Sequence, residues 1–241
     1  MSAALVVLQA RTGSSRLPGK VLEDICGLTV LERCVRRLRH AGCGPVVVAT
    51  TLLGADDRVA EHARRLGAIC VRGAVDDVLA RFLLATREWH GPFVIRATAD
   101  NPLVDFEACH RVLQQLSGGA DYVVEASLPV GAAVEGMTTD ALRQAGMSAD
   151  DAYDREHVTP WIRRESARFR IAQGNAPAAL ARPDLRFTVD TGPDLDYVRR
   201  VVQLAGMQPL LPLEAYIEAA DQLAARVAGY APARIEMEEA S

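Results

Sequence analysis

Residues 9–22 read QARTGSSRLPGKVL. Arg11, Arg16 and Lys20 bring three positive charges to this stretch, and Gly13, Ser14 and Ser15 bring main-chain N–H groups and hydroxyls. Successive N–H groups at a turn form a concavity that holds anions. Guanidinium and ammonium groups add charge-assisted hydrogen bonds. The combination suits phosphate. Two common phosphate loops are excluded by spacing. A G-x-x-x-x-G-K-[ST] loop needs four residues between its glycines and a hydroxyl after its lysine. Here five residues separate Gly13 from Gly19, Val21 follows Lys20, and Pro18 removes an N–H. The dinucleotide pattern G-x-G-x-x-G fails as well, because position 15 is serine and no ribose-binding acid closes the second apolar run.

The elements that must carry this loop are short apolar runs alternating with amphipathic stretches. Strands are expected at Ala4–Gln9, Val46–Thr50, Ala68–Arg72, Phe93–Ala97 and Tyr122–Ala126. Helices are expected in LTVLERCVRRLRHAG, with Thr29 and Glu32 in capping-box spacing, and at Asp56–Leu66, Asp76–Trp89 and Asp105–Leu116. This alternation predicts an α/β fold: a Rossmann-like, doubly wound, mixed but mostly parallel sheet. The loop then sits at the carboxyl end of the first strand, where open α/β sheets bind ligands.

After Ala126 the rhythm changes. SLPVGAAVEGMTT reads as a hairpin or irregular β segment. TDALRQAG and AYDREHVTPWIRRES read as helical, with Pro160 a break. RFRIAQG and LRFTVD read as short strands, and helices follow at Pro193–Ala205 and Leu213–Ala228. The organisation expected is one domain over 1–230 with a β/α insert near 125–175, then a mobile acidic tail at 231–241.

Bulk composition narrows the function classes. With 31 acidic against 27 basic side chains, the chain lacks the basic field of a general nucleic-acid binder. No run approaches the ~20 apolar residues of a membrane span, and the first residues lack the basic region of a signal peptide. Five cysteines, none in a C-x-x-C pair, read as free thiols in a reducing compartment. The expectation is a cytoplasmic protein. Arg33, Arg36, Arg37 and Arg39 read as the solvated face of one helix.

Six ordered blocks carry a resemblance over nearly the whole chain. Ala10–Lys20 fits the pattern A-R-x-G-S-x-R-x-P-x-K. VVVAT at 46–50, RGAVDDVLARF at 72–82, ADNPLVD at 99–105, DREHVTPWIR at 154–163 and LRFTVDTGPDLDYV at 185–198 follow in order. Together they resemble the cytidylyltransferases that make CMP-sugars, of the acylneuraminate and 3-deoxy-manno-octulosonate types, and most of all their SpsF-type relatives in spore-coat polysaccharide biosynthesis. The resemblance implies a nucleotide-diphospho-sugar transferase type of fold and a Mg2+-dependent transfer of CMP from CTP to a small acceptor, with release of pyrophosphate.

It also implies roles. Lys20 and Arg11 would stabilise charge at the reacting phosphate, with Arg16, Gly13, Ser14 and Ser15 on the triphosphate. Asp100 and Asp190 would hold the metal, a hard cation that favours carboxylate and phosphate oxygens. Leu8, Ala10, Arg72, Asp77 and Thr98 are candidates for the rest of the nucleotide site, and Glu135 for the acceptor. Arg155, Glu156 and His157 are expected in structural or subunit contacts, and the family implies a homodimer.

One segment departs from the family. Its acidic pattern P-D-G-L-D-V-E is here PVGAAVE, with Val130 and Ala133 where acids would stand, which opens the acceptor to more apolar molecules. Two other functions compete. A glycosyltransferase would use D-x-D for its metal, and ADNP has no second aspartate. A non-catalytic nucleotide binder would not need Lys20, Asp100 and Asp190 together.

Overall fold

The computed structural model describes residues 4–228; the expected tail at 231–241 lies outside them. The chain starts with β1 (Ala4–Gln9), a hairpin of β2 (Asp24–Ile25) and β3 (Leu28–Thr29), and α1 (Val30–His40). Then come β4 (Val46–Thr51), α2 (Asp57–Arg65), β5 (Ile69–Gly73), α3 (Val78–Ala85), β6 (Phe93–Thr98), α4 (Phe106–Ser117) and β7 (Tyr122–Ala126). The remainder is β8 (Glu135–Thr138), α5 (Thr139–Ser148), α6 (Ala152–His157), α7 (Pro160–Arg164), β9 (Ile171–Asn175), α8 (Gly192–Ala205) and α9 (Leu213–Ala228).

Seven strands form the main sheet in the order β5-β4-β1-β6-β8-β7-β9, and only β8 runs antiparallel to its neighbours. β1 is central. Its alternate residues feed two cores: Val6 and Leu8 join Leu31, Val35 and Leu38 of α1, whereas Leu5 and Val7 join Leu79 and Phe82 of α3. Both faces are covered, which is why the strand reads as an unbroken apolar run.

The expected elements of the first 126 residues are present, with shifts of a few residues at their ends. Thr29 caps α1 by accepting from the Glu32 N–H at 3.1 Å, but the Glu32 carboxylate turns to Arg36 instead of closing the box. Pro160 begins α7 and so separates it from α6. SLPVGAAVEGMTT contributes only β8, which returns antiparallel to β7.

Two expectations fail. LRFTVD forms no strand: its ladder is a single bridge between Arg186 and Val130. The segment instead crosses the ends of the sheet strands, where its N–H groups reach Val130 and Asp100. The arginine row of α1 is not a solvated face. Arg36 and Arg39 are exposed, but Arg33 and Arg37 are fully buried. Arg33 donates to the Ile25 carbonyl at 3.0 and 2.7 Å. Arg37 donates to the carbonyls of Val104 at 2.6 Å, Pro209 at 2.9 Å and Leu211 at 2.8 Å. Its guanidinium also lies 4.9 Å from the Phe106 ring centre and 5.2 Å from that of Tyr216. Burial pulls both arginine pKa values below the ordinary one.

All five cysteines are free thiols. No helix among the described residues is long and apolar enough to cross a membrane.

Candidate active site

A cavity of about 460 Å³ opens at the carboxyl ends of β1 and β6, large enough for a nucleotide-sized ligand. The 9–22 stretch forms one wall. Its entry is pinned by Asp56, a buried carboxylate that accepts from the Thr12 N–H and the Thr12 hydroxyl, each at 2.7 Å, and from the Thr51 hydroxyl. Burial opposes ionisation of Asp56, but the hydrogen bonds from Thr51 and Thr12 outweigh it and hold the pKa below the usual value. The loop then closes on itself: the N–H groups of Ser14 and Gly19 both reach the Thr12 carbonyl. Gly19 adopts φ +74°, a left-handed turn that suits glycine and delivers Lys20 into the cavity.

The second wall carries the acids. Asp100 follows β6, and Asp190 ends the segment that crosses the strand ends. The Val189 N–H donates to the Asp100 carbonyl at 2.8 Å, which ties the two segments together. Gly131 allows this convergence. A Cβ there would lie 2.7 Å from the Thr188 nitrogen and 3.0 Å from Asn101 Oδ1, and its φ is +93°. At Asp194 the carboxylate accepts from the N–H groups of Asp190 and Thr191, fixing the turn after Asp190.

Lys20 joins the walls. Its Nζ lies 2.9 Å from Asp100 Oδ2 and 2.8 Å from Asp190 Oδ1. Arg16 adds a contact to Asp190 at 3.0 Å, and Arg186 holds the other Asp190 oxygen at 2.6 Å. Burial raises the Asp190 pKa, yet Lys20, Arg16 and Arg186 together bring it below the ordinary carboxylate value.

Of the residues singled out from sequence, Ala10, Arg11, Gly13, Ser14, Ser15, Arg16, Lys20, Thr98, Asp100 and Asp190 line the cavity. Leu8, Arg72, Asp77 and Glu135 do not. Leu8 is core. Arg72 donates to the carbonyls of Thr51 and Leu53 and pairs with Asp57. Asp77 caps α3 and holds Arg155 at 2.6 Å. Glu135 pairs with Arg96 at 2.9 Å.

Residues outside that set complete the lining. The Asp77–Arg155 pair docks α6 on α3, and this brings Glu156 and His157 to the cavity wall. Glu156 meets Arg11 at 3.3 Å. Gln9 and Arg81 also face the cavity, and each keeps a buried polar atom, Oε1 and Nε, without a hydrogen-bond partner. Arg81 had a readable signal: it stands within the apolar arc of Val78, Leu79 and Phe82, so its helix face is buried. Burial and the nearby Arg11 lower its pKa.

Among the described residues no three His, Cys, Asp or Glu side chains group into a metal cage. The Asp100–Asp190 pair nevertheless suits Mg2+, which takes one or two carboxylates and completes its shell with phosphate and water. The pair already holds a cation, the Lys20 ammonium, at hydrogen-bond distance from both carboxylates.

Solved structures share this mixed, mostly parallel sheet with its helices. A cytidylyltransferase structure from Leptospira borgpetersenii matches with a TM-score of 0.83 at 21% identity, over 93% of this chain and 96% of that one. A structure of CMP:2-keto-3-deoxy-manno-octonic acid synthetase complexed with CTP matches with a TM-score of 0.63 at 20% identity, over 84% and 99%. The chain belongs to the cytidylyltransferase family, whose model matches residues 5–213. It is 32% identical to the spore coat polysaccharide biosynthesis protein SpsF of Bacillus subtilis, over 87% of this chain and 90% of SpsF. It is 36% identical to an uncharacterised protein of Methanocaldococcus jannaschii, over 77% of each. The 3-deoxy-manno-octulosonate cytidylyltransferase of Serratia proteamaculans is 25% identical over 71% of this chain and 70% of its own length.

Proposed function

We propose that this enzyme transfers CMP from CTP to a small acceptor in a magnesium-dependent reaction that releases pyrophosphate. The observation that carries the reading is the convergence of Lys20 with Asp100 and Asp190 at the loop that begins at Ala10. In this reaction an acceptor oxygen bonds to the α-phosphorus of CTP while the bond to the bridging oxygen of the β-phosphate breaks. The acceptor's proton goes to solvent, and pyrophosphate leaves with the electron pair of the broken bond.

The protein has little covalent work to do; it aligns the two oxygens and balances charge. The N–H groups of Gly13 and Ser15 would donate to phosphate oxygens, and Arg11 and Arg16 flank them with positive charge. Lys20 serves the phosphate that gains charge as the bond breaks. Magnesium, held by Asp100 and Asp190, would neutralise the triphosphate and orient the α-phosphate. The choice of CTP follows the family and its named relatives. Val130, half exposed beside Arg186, offers the acceptor an apolar surface near Asp190. The same family likeness supports a homodimer.

The test is calorimetric titration with CTP, UTP, ATP and GTP, each with magnesium, followed by a panel of sugar acids, neutral sugars and phosphonates scored by pyrophosphate release. Selective CTP binding and release with at least one acceptor are expected. Selective binding of another triphosphate would remove cytosine from the proposal.

A further inference from the structure

Lys20 stands where a divalent cation would have to stand. It is 8% exposed, and its ammonium bridges Asp100 and Asp190 at 2.9 and 2.8 Å. Arg16 at 3.0 Å and Arg186 at 2.6 Å also hold Asp190, and Arg186 shares its charge with Asp194 at 3.6 Å. A free metal ion entering this place meets carboxylates that are already neutralised. It must displace a fixed ammonium before it gains any coordination.

We propose that Lys20 is a built-in counter-cation that keeps the acid pair closed to free magnesium until a nucleoside triphosphate draws the ammonium away. The geometry allows the exchange without a main-chain change. The lysine sits at the start of a one-turn helix, Lys20–Leu22, on a four-carbon stem, and the loop at Gly13–Arg16 lines the same cavity. An incoming triphosphate at that loop offers the ammonium new negative partners. Lys20 then moves from carboxylate to phosphate, and the uncovered carboxylates become ligands. Metal and nucleotide therefore bind with positive coupling, and the coupling is reciprocal. The inference deepens the proposed function and rests on its assignment of Asp100 and Asp190 to the metal.

The test is Mn2+ binding to the full chain without nucleotide, followed by electron paramagnetic resonance of the free ion. Wild-type protein should bind Mn2+ weakly, and Lys20→Met should bind it at least tenfold more tightly. Arg16→Met should gain less than threefold, because Arg16 is 62% exposed and leaves Lys20 in place. A folded Lys20→Met that binds Mn2+ no more tightly than wild type overturns the proposal.

A second measurement needs no variant. The 1H–15N signal of the Lys20 ammonium in wild-type protein should stay in place with millimolar magnesium alone and shift when CTP and magnesium are added together. A shift of the same size with magnesium alone also overturns it. The functional reading fails separately: if wild-type protein binds no nucleoside triphosphate, that reading falls, while the Mn2+ comparison between lysine and methionine still decides the counter-cation role.

Discussion

Two of the places where this molecule buries positive charge solvate it by opposite means. Beneath α1, Arg33 and Arg37 rest on neutral carbonyl oxygens and aromatic rings. In the active site, Lys20 rests on two formal negative charges. Carbonyl dipoles belong to the main chain, so the arginines are fixtures that pin the 104 and 207–211 segments to the helix. Carboxylates can exchange one cation for another, so the lysine site is adjustable. At α1 the charge held by dipoles fastens the fold, and at Lys20 the charge held by charges faces the cavity.

The largest effect that could break this contrast lies under α1. Arg37→Ala leaves three carbonyl acceptors and two ring faces without their partner, and should cost about 3–5 kcal/mol in urea denaturation. A loss under 1 kcal/mol would show that water replaces the guanidinium there and that the site is not a fixture. At the active site the same kind of truncation should spare the fold. Lys20→Ala should lower pyrophosphate release by about 10²-fold or more while the melting temperature moves only a few degrees. Collapse of the fold in this variant would place Lys20 with the structural cations.

Asp56 sharpens the comparison because it acts on the loop without lining the cavity. Asp56→Asn keeps an oxygen for Thr12 but removes the charge, and should weaken triphosphate binding about tenfold, or about 1.4 kcal/mol. It also carries a pH signature. The folded pKa is depressed, so its stabilisation is complete above the ordinary carboxylate value near about 4 and is lost as pH falls through the folded value. The stability gap between wild type and Asp56→Asn, read from urea midpoints, should hold from pH 7 to 5 and close in more acidic buffer. A gap that widens with acid would reverse the assignment. The smallest effect is expected at Arg36, whose pair with Glu32 is exposed: Arg36→Ala should change stability by less than about 0.5 kcal/mol.

Legibility in the sequence follows the same division between local and distant partners. β1, β4 and β6 were readable because parallel strands buried on both faces leave apolar runs, and Gly42 and Gly67 mark helix ends with φ of +65° and +71°. The loop from Ala10 to Lys20 was readable as a loop because glycine, serine and proline directly follow the apolar run of β1, and it lines the cavity. Leu185–Asp190 misled because alternation predicts a strand whether or not a neighbour is available, and here the neighbours are the Val130 and Asp100 carbonyls. Arg33 and Arg37 misled because the carbonyls that solvate them come from residues up to 174 positions away. Glu156 and His157 sit at the cavity where the Asp77–Arg155 pair, 78 positions apart, ties α6 to α3, and nothing local announces it.

The hydrogen bond from the Val189 N–H to the Asp100 carbonyl has a consequence in time. During synthesis the anion loop and Asp100 leave the ribosome early and can fold on the first parallel strands. The second acid arrives only after some ninety further residues, and closing so large a loop is slow. A nascent chain thus acquires one wall of the cavity before the acid pair can assemble. The cavity is complete only when the segment ending at Asp190 has docked across the finished sheet.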